Sequence, residues 1–187
     1  MLKHRVIKTL LVAVVMVGAA VASQLTQQPA QSGTAQSIPA GSYRVTFFVD
    51  GDTIAVDMGG HEERIRFIGV DTPETHKPNT PVQCFGPEAS DYTKQLIGTK
   101  PVRLVADPEG DNRDRYDRLL RYVYLPDNTL VDQKLISDGY GFAYVSFPFS
   151  KRAEFAAAQV EAQNAKRGLW ARCQPQLKKD RWQSNDQ

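Results

Sequence analysis

Three short runs near the start of the body alternate apolar with polar residues: Tyr43 to Val49, Thr53 to Met58 and Arg64 to Val70. A period of two buries one face of a strand and wets the other, and Gly59-Gly60 between the second and third runs supplies a tight hairpin turn. Such strands need a covering layer, and a helix follows. Gly86-Pro87 opens it, with Ala89, Tyr92, Thr93, Leu96 and Ile97 on one face and Gly98 at its end. Two further strands lie near Val102 to Ala106 and Leu119 to Leu125, and the Pro126-Asp127-Asn128 turn leads to a short helix ended by Gly139. Ser150 is placed to cap a longer alanine-rich helix that runs to about Arg167 and stops at Gly168. There is no internal repeat. This order fits an α+β fold, mainly a β barrel of five strands in Greek-key order with about three packed helices, but another α+β sandwich has the same order and pattern alone does not choose.

The body is preceded by a basic start (Lys3, Arg5, Lys8), an apolar run from Leu10 to Ala22, and Ala20-Val21-Ala22 as an A-x-A site before Ser23. Residues 1–22 therefore read as a signal peptide. The alternative is an uncleaved anchor, although the run falls short of the ~20 residues that span a bilayer. Either reading puts the body outside the cytoplasm: secreted, periplasmic or attached to the envelope. Residues 23–40 hold only Leu25 and Ile38 as larger apolar side chains, the composition of a linker. Residues 41–173 form the body, and 174–187, rich in Lys, Asp, Gln and Arg, a polar tail expected to fray. The formal charge of +2 would hint at a polyanion partner, but removing the three leader cations turns it to −1, so total charge supports no nucleic-acid role. For an exported chain whose cysteines lie in no metal spacing, a Cys84–Cys173 disulfide is the first expectation, and two unpaired buried thiols are the alternative.

Carboxylates and arginines carry the chemistry. Asp52 follows a strand and a glycine turn while Asp71 ends another strand, so a hairpin between them can bring both carboxylates to one rim of the barrel. Two acids held close repel unless a hard cation such as Ca²⁺ neutralises them. The alternative is that both aspartates merely cap turns. Glu74, three residues past Asp71 with rigid Pro73 between, is placed to orient and deprotonate water. Arg66 and Arg118 offer the planar paired donors that match a phosphoryl group, whereas Arg113 and Arg121, in a stretch where aspartates alternate with arginines, read as solvated. His4, His61 and His76 have no zinc or ββα-metal spacing.

The segments Asp50-Gly51-Asp52-Thr53 and Arg66-Phe67-Ile68-Gly69-Val70-Asp71-Thr72-Pro73-Glu74-Thr75 resemble the two signature segments of the staphylococcal nuclease family. The likeness continues through Phe85-Gly86-Pro87-Glu88-Ala89-Ser90, Asp114-Arg115-Tyr116-Asp117-Arg118 and Ala143-Tyr144-Val145, and spans about Tyr43 to Trp170. The resemblance implies an OB-fold barrel and an endonuclease that hydrolyses DNA and RNA, single-stranded or locally opened, to 3′-phosphate and 5′-hydroxyl ends. It implies one Ca²⁺ held by Asp52, Asp71 and the Thr72 carbonyl, Glu74 as base, and Arg66 and Arg118 on the scissile phosphate. Arg115, Tyr116 and Tyr144 correspond to nucleotide-binding positions, and Phe147-Pro148 to a proline that is often cis. A monomer is expected, no protein partner is implied, and a membrane enters only if the N-terminal segment is not cleaved. Three departures stand out. Asp117 replaces a common glycine and could pair with Arg115 or Arg118, Arg115 replaces a lysine, and Ser146 replaces a tyrosine of the nucleotide pocket. The rival readings are a non-catalytic OB module that binds nucleic acid and an exported scaffold or adhesion domain, neither of which needs this set of charged groups.

Overall fold

The structure is a computed structural model and describes residues 40–75 and 81–186. The expected signal peptide, the expected linker up to residue 39, His4 and His76 lie outside the described residues. Along the chain, β1 (Ser42–Phe48), β2 (Thr53–Asp57) and β3 (Glu62–Phe67) form an antiparallel meander, with the expected hairpin at Gly59-Gly60 between β2 and β3. The two-residue β4 (Val70–Asp71) and the helix α1 (Gly86–Ile97) come next, then β5 (Val102–Val105) and β6 (Leu119–Tyr124). The helix α2 (Val131–Ser137) leads to β7 (Phe142–Ala143), α3 (Arg152–Asn164) and the single turn α4 (Leu169–Arg172). A hairpin of β8 (Gln176–Lys178) and β9 (Arg181–Gln183) ends the chain.

Five strands close a barrel in the order β1-β2-β3-β6-β5, with β5 returning to β1. Parallel pairing of β3 with β6, Ile65 opposite Leu119, lets the barrel close, and the other barrel pairs are antiparallel. Inward-facing Ile54, Val56, Ile65, Phe67 and Val123 fill it, and Leu135, Ile136 and Phe155 from the helices cap that core. A second small cluster of Phe85, Phe142 and Leu169 sits under Trp170 and Trp182.

Several expectations are corrected. The segment after Cys173 does not fray but pairs as the β8–β9 hairpin. Cys84 and Cys173 are bridged as expected, with Cα atoms 5.9 Å apart. Ser150 does not cap α3, which starts after Lys151 without a side-chain cap. The Ser150 hydroxyl and N–H instead donate to Asp107 Oδ2 at 2.5 and 2.9 Å, where Tyr122 also donates, so one buried carboxylate competes successfully for the cap. No cis peptide bond occurs among the described residues, so Phe147–Pro148 is trans.

Two glycines set where the site's acids stand. A Cβ on Gly51 would come within 2.8 Å of the Thr72 side chain, and one on Gly86 within 2.9 Å of the Glu74 carbonyl oxygen. The loop carrying Asp52 can therefore lie directly on Thr72, with Thr93 Oγ1 donating to the Gly51 carbonyl at 2.6 Å, and the start of α1 can abut the backbone of Glu74.

Asp132, in the first turn of α2, is fully buried; its Oδ2 accepts the Val123 N–H at 2.9 Å and its Oδ1 has no partner among the described residues. Burial pushes this carboxyl from 3.8 up to about 8. The folded chain thus keeps a proton that the unfolded chain gives up, so this group's contribution to stability is greatest in acid and falls as pH rises from about 3.8 to about 8. Asp132→Asn removes the titration. The expected result is a gain in Tm over the unaltered chain that widens steadily from about pH 5 to pH 8; a difference independent of pH would refute it.

Candidate active site

The first rim of the site is built by β2, β3 and β4. Asp52 ends the loop into β2, and Thr72, just past β4, donates to its Oδ2 through N–H and hydroxyl at 2.8 and 3.2 Å. Arg66 leaves β3 and spans the gap, with Nη1 2.9 Å from Asp52 Oδ1 and Nη2 3.1 Å from Asp71 Oδ1. Its Nη1 also donates to the Val70 carbonyl at 2.8 Å. One guanidinium therefore holds both carboxylates. Burial works against the charge of Arg66, but Asp52, Asp71 and Asp50 more than offset it and raise its affinity for the proton. Asp71 is pushed up by burial while Arg66 and Arg181 pull against that shift.

Glu74 follows on the same strand exit. Its N–H donates to Gln83 Oε1 at 2.9 Å and its carbonyl accepts the Gln83 N–H at 2.9 Å, so its backbone is pinned across the loop. Its charge reaches Arg66. Asp52, Arg66, Asp71, Thr72, Glu74 and Arg118 all border one open groove of about 890 Å³, as do Arg115, Tyr116 and Tyr144. All nine residues that the sequence nominates for chemistry or binding thus share one depression.

Arg118 comes to the rim from the opposite side, at the head of β6. Its Nη1 donates to Thr53 Oγ1 at 3.3 Å, and Thr53 in turn donates to Asp52 Oδ1 at 3.0 Å, which links the two arginines through one hydroxyl. Asp114 fixes its other edge, at 2.8 Å from Nε and 2.7 Å from Nη2. Burial disfavours the Asp114 charge, yet hydrogen bonds from Arg118 hold that carboxyl below its ordinary value. Tyr116, 65% exposed, lies under the guanidinium groups of Arg115 and Arg118, at 4.8 and 5.4 Å from the ring centroid, and accepts from Arg115 Nη2 at 2.7 Å. An exposed ring stacked with cations offers a face for a base.

Two expectations about this loop change. Asp117 has φ 64°, the left-handed conformation that a glycine at this position would adopt freely, and its carboxylate meets Arg113 Nε at 3.6 Å rather than Arg115 or Arg118. Arg113 and Arg121 are not merely solvated. Arg113 forks onto Glu63 at 3.0 and 3.2 Å, and Arg121 Nη2 donates to Asn112 Oδ1 at 2.7 Å, so both brace the loop against the barrel.

Two groove residues lie beyond those the sequence nominates. Asp50 is pushed from 3.8 up to about 7, first by burial and then by Asp52 beside it; its place in the Asp-Gly-Asp motif was the available signal. Arg181, on β9, forks onto Asp71, and no composition or periodicity in its polar segment pointed to it.

The donor chemistry suits a hard divalent cation. Asp52 and Asp71 are 5% and 6% exposed and present carboxylate oxygens around the Arg66 guanidinium, with Arg181 as a second counter-charge on Asp71. Among the described residues no three Asp, Glu, His or Cys side chains form a ready cage, so a cation here would complete its shell from main-chain carbonyls and water, as calcium accepts.

The staphylococcal nuclease homologue family matches residues 64–172. The chain is 43% identical over 133 residues to a thermonuclease of Staphylococcus hyicus, which covers 70% of this chain and 76% of that protein. It is 46% identical over 132 residues to a thermonuclease of Staphylococcus intermedius, covering 70% and 77%. An endonuclease of Bacillus subtilis is 40% identical over 126 residues, covering 66% and 59%.

Proposed function

Because the chain belongs to the staphylococcal nuclease family and is a phosphodiester-hydrolysing nuclease, we propose that it is an exported, calcium-dependent endonuclease cutting DNA and RNA to 3′-phosphate and 5′-hydroxyl ends. The observation that carries this reading is the single guanidinium of Arg66 between two buried carboxylates, on a groove that Arg118 and Glu74 also border. Such an arrangement combines a hard-cation site, two phosphate donors and a base.

In this mechanism Arg66 and Arg118 fork onto the non-bridging oxygens of the scissile phosphate, where negative charge grows during in-line attack. Glu74 orients a water opposite the leaving group and takes its proton. Arg118, braced by Asp114, also stabilises the departing 5′-oxygen in this reading. Asp52, Asp71 and the Thr72 carbonyl would hold Ca²⁺, which when bound would neutralise the two carboxylates and polarise the phosphoryl group. Tyr116 and Tyr144 hold bases by stacking, which suits both DNA and RNA because every base has a π face. Export is supported by the leader sequence and by the Cys84–Cys173 bridge, since disulfides persist outside the cytoplasm. Among the described residues no helix is long and apolar enough to cross a membrane.

Digestion of single-stranded DNA and of RNA decides the matter. Cleavage should appear with CaCl₂, vanish with EDTA and return on adding excess Ca²⁺, leaving 5′ ends that a kinase labels without prior phosphatase. Retention of nucleic acid without cleavage would instead indicate a binding module, and cleavage indifferent to EDTA would remove the cation from the mechanism.

A further inference from the structure

The C-terminal hairpin lies outside the residues 64–172 that the family matches, yet it is firmly attached to the active site. The Cys84–Cys173 bridge anchors its entry. Cys84 N–H donates to the Asn185 carbonyl at 2.7 Å, Ser184 Oγ donates to the Cys84 carbonyl at 2.8 Å, and Trp182 packs edge-on against Trp170 at 5.2 Å. At the tip, Lys179 and Asp180 turn with φ 48° and 63°, and Ser146 Oγ donates to the Asp180 carbonyl at 3.2 Å. The hairpin is thus held at base and tip, and β9 begins with Arg181.

Arg181 uses that position in a specific way. Its Nε and Nη2 donate to Asp71 Oδ2 and Oδ1 at 2.8 and 2.7 Å, a bidentate fork onto a carboxylate that Arg66 already touches. Its guanidinium stands 5.1 Å from the Tyr144 ring centroid, its side chain is 34% exposed, and it borders both the main groove and a smaller cavity of about 130 Å³ beside Glu74. A fork that takes both oxygens leaves a divalent cation no favourable approach, because the two positive charges would crowd one carboxylate. A displaced Arg181 does not lose its function. Its long side chain opens onto the groove, where a phosphodiester offers the same planar pair of acceptors that Asp71 did.

We propose that Arg181 is a further substrate-binding residue, which rests on Asp71 until a cation takes that carboxylate and then pairs with a nucleic-acid phosphate flanking the scissile one. The proposal rests on the reading of Asp71 as a cation ligand. It makes cation and nucleic-acid binding mutually reinforcing through one side chain, since each partner removes the reason for Arg181 to hold the other's place.

The test uses the whole mature chain with Arg181→Gln, Arg181→Lys and Asp71→Asn. Calcium alone is titrated calorimetrically, and a fluorescent single-stranded oligonucleotide is titrated at saturating Ca²⁺ in a Glu74→Gln background to prevent cleavage. Arg181→Gln should bind calcium roughly tenfold more tightly in the absence of nucleic acid. It should bind the oligonucleotide roughly tenfold more weakly, with a salt-dependence slope shallower by about one. Arg181→Lys, which keeps the charge but not the fork, should fall between on both measures. Weaker or unchanged calcium binding in Arg181→Gln overturns the proposal, as does an unchanged oligonucleotide slope. If Asp71→Asn leaves calcium affinity intact, the cation-ligand reading fails; if it abolishes binding while Arg181→Gln changes nothing, only the role of Arg181 fails.

Discussion

Replacing Glu74 by Gln is expected to slow phosphodiester cleavage by roughly 10²- to 10⁴-fold while leaving calcium and oligonucleotide affinity near their original values. The amide keeps the shape and the backbone contacts to Gln83, so the loop should stay where it is. What is lost is the ability to take a proton from the attacking water. Single-turnover cleavage alongside calcium titration separates the outcomes. A fall in kcat with unchanged binding marks a base, a loss of calcium affinity marks a direct ligand, and unaltered turnover would return Glu74 to the status of a loop acid and take the hydrolytic mechanism with it.

Opening the Cys84–Cys173 bridge is expected to have the largest effect on stability. The bond closes a separation of 89 residues, for which the chain-entropy account gives about 4 to 5 kcal/mol. The barrel itself does not depend on the bond, since both cysteines lie outside its strands. Denaturant unfolding of a Cys84→Ser, Cys173→Ser chain should therefore show the midpoint falling sharply with the m-value rising, because the unlinked denatured chain exposes more surface. A shift under about 1 kcal/mol would mean that the hairpin and the Trp170–Trp182 contact already restrain the ends without it. Intact mass after alkylation, with and without reductant, checks the pairing directly: label on both thiols without reductant refutes it.

Much of the barrel is readable from the chain, for a physical reason: β3 alternates buried with wetter residues, β2 is buried on both faces yet stops before the Gly59-Gly60 turn, and α1 carries its own proline start and glycine stop. The parallel β3–β6 pair is not readable, since alternation says which face is buried and nothing about which neighbour lies alongside. Nor are β4 and β7, whose two residues each are too few to show a period. At the site, acids and arginines in ordered motifs do converge on one groove. Arg181 is not legible in the sequence because its segment is mostly polar and is held by a covalent bond, a few hydrogen bonds and one tryptophan pair, none of which leaves a hydrophobic pattern. Ser150 and Asp117 depart from expectation for a related reason. A cap and an ion pair are each decided by competition among nearby partners, here Asp107 and Arg113, that sequence distance does not reveal.

The close approaches at Gly51 and Gly86 have a bearing on how this enzyme can change over time. A single methyl at Gly51 would meet Thr72, the residue that donates twice to Asp52, and one at Gly86 would meet the main chain of Glu74. Lineages of this protein can therefore lose activity without altering any ionisable group. A drift in sequence that keeps every acid and every arginine, yet fills either of those two spaces, would leave a barrel with all its charges and the wrong spacing between them.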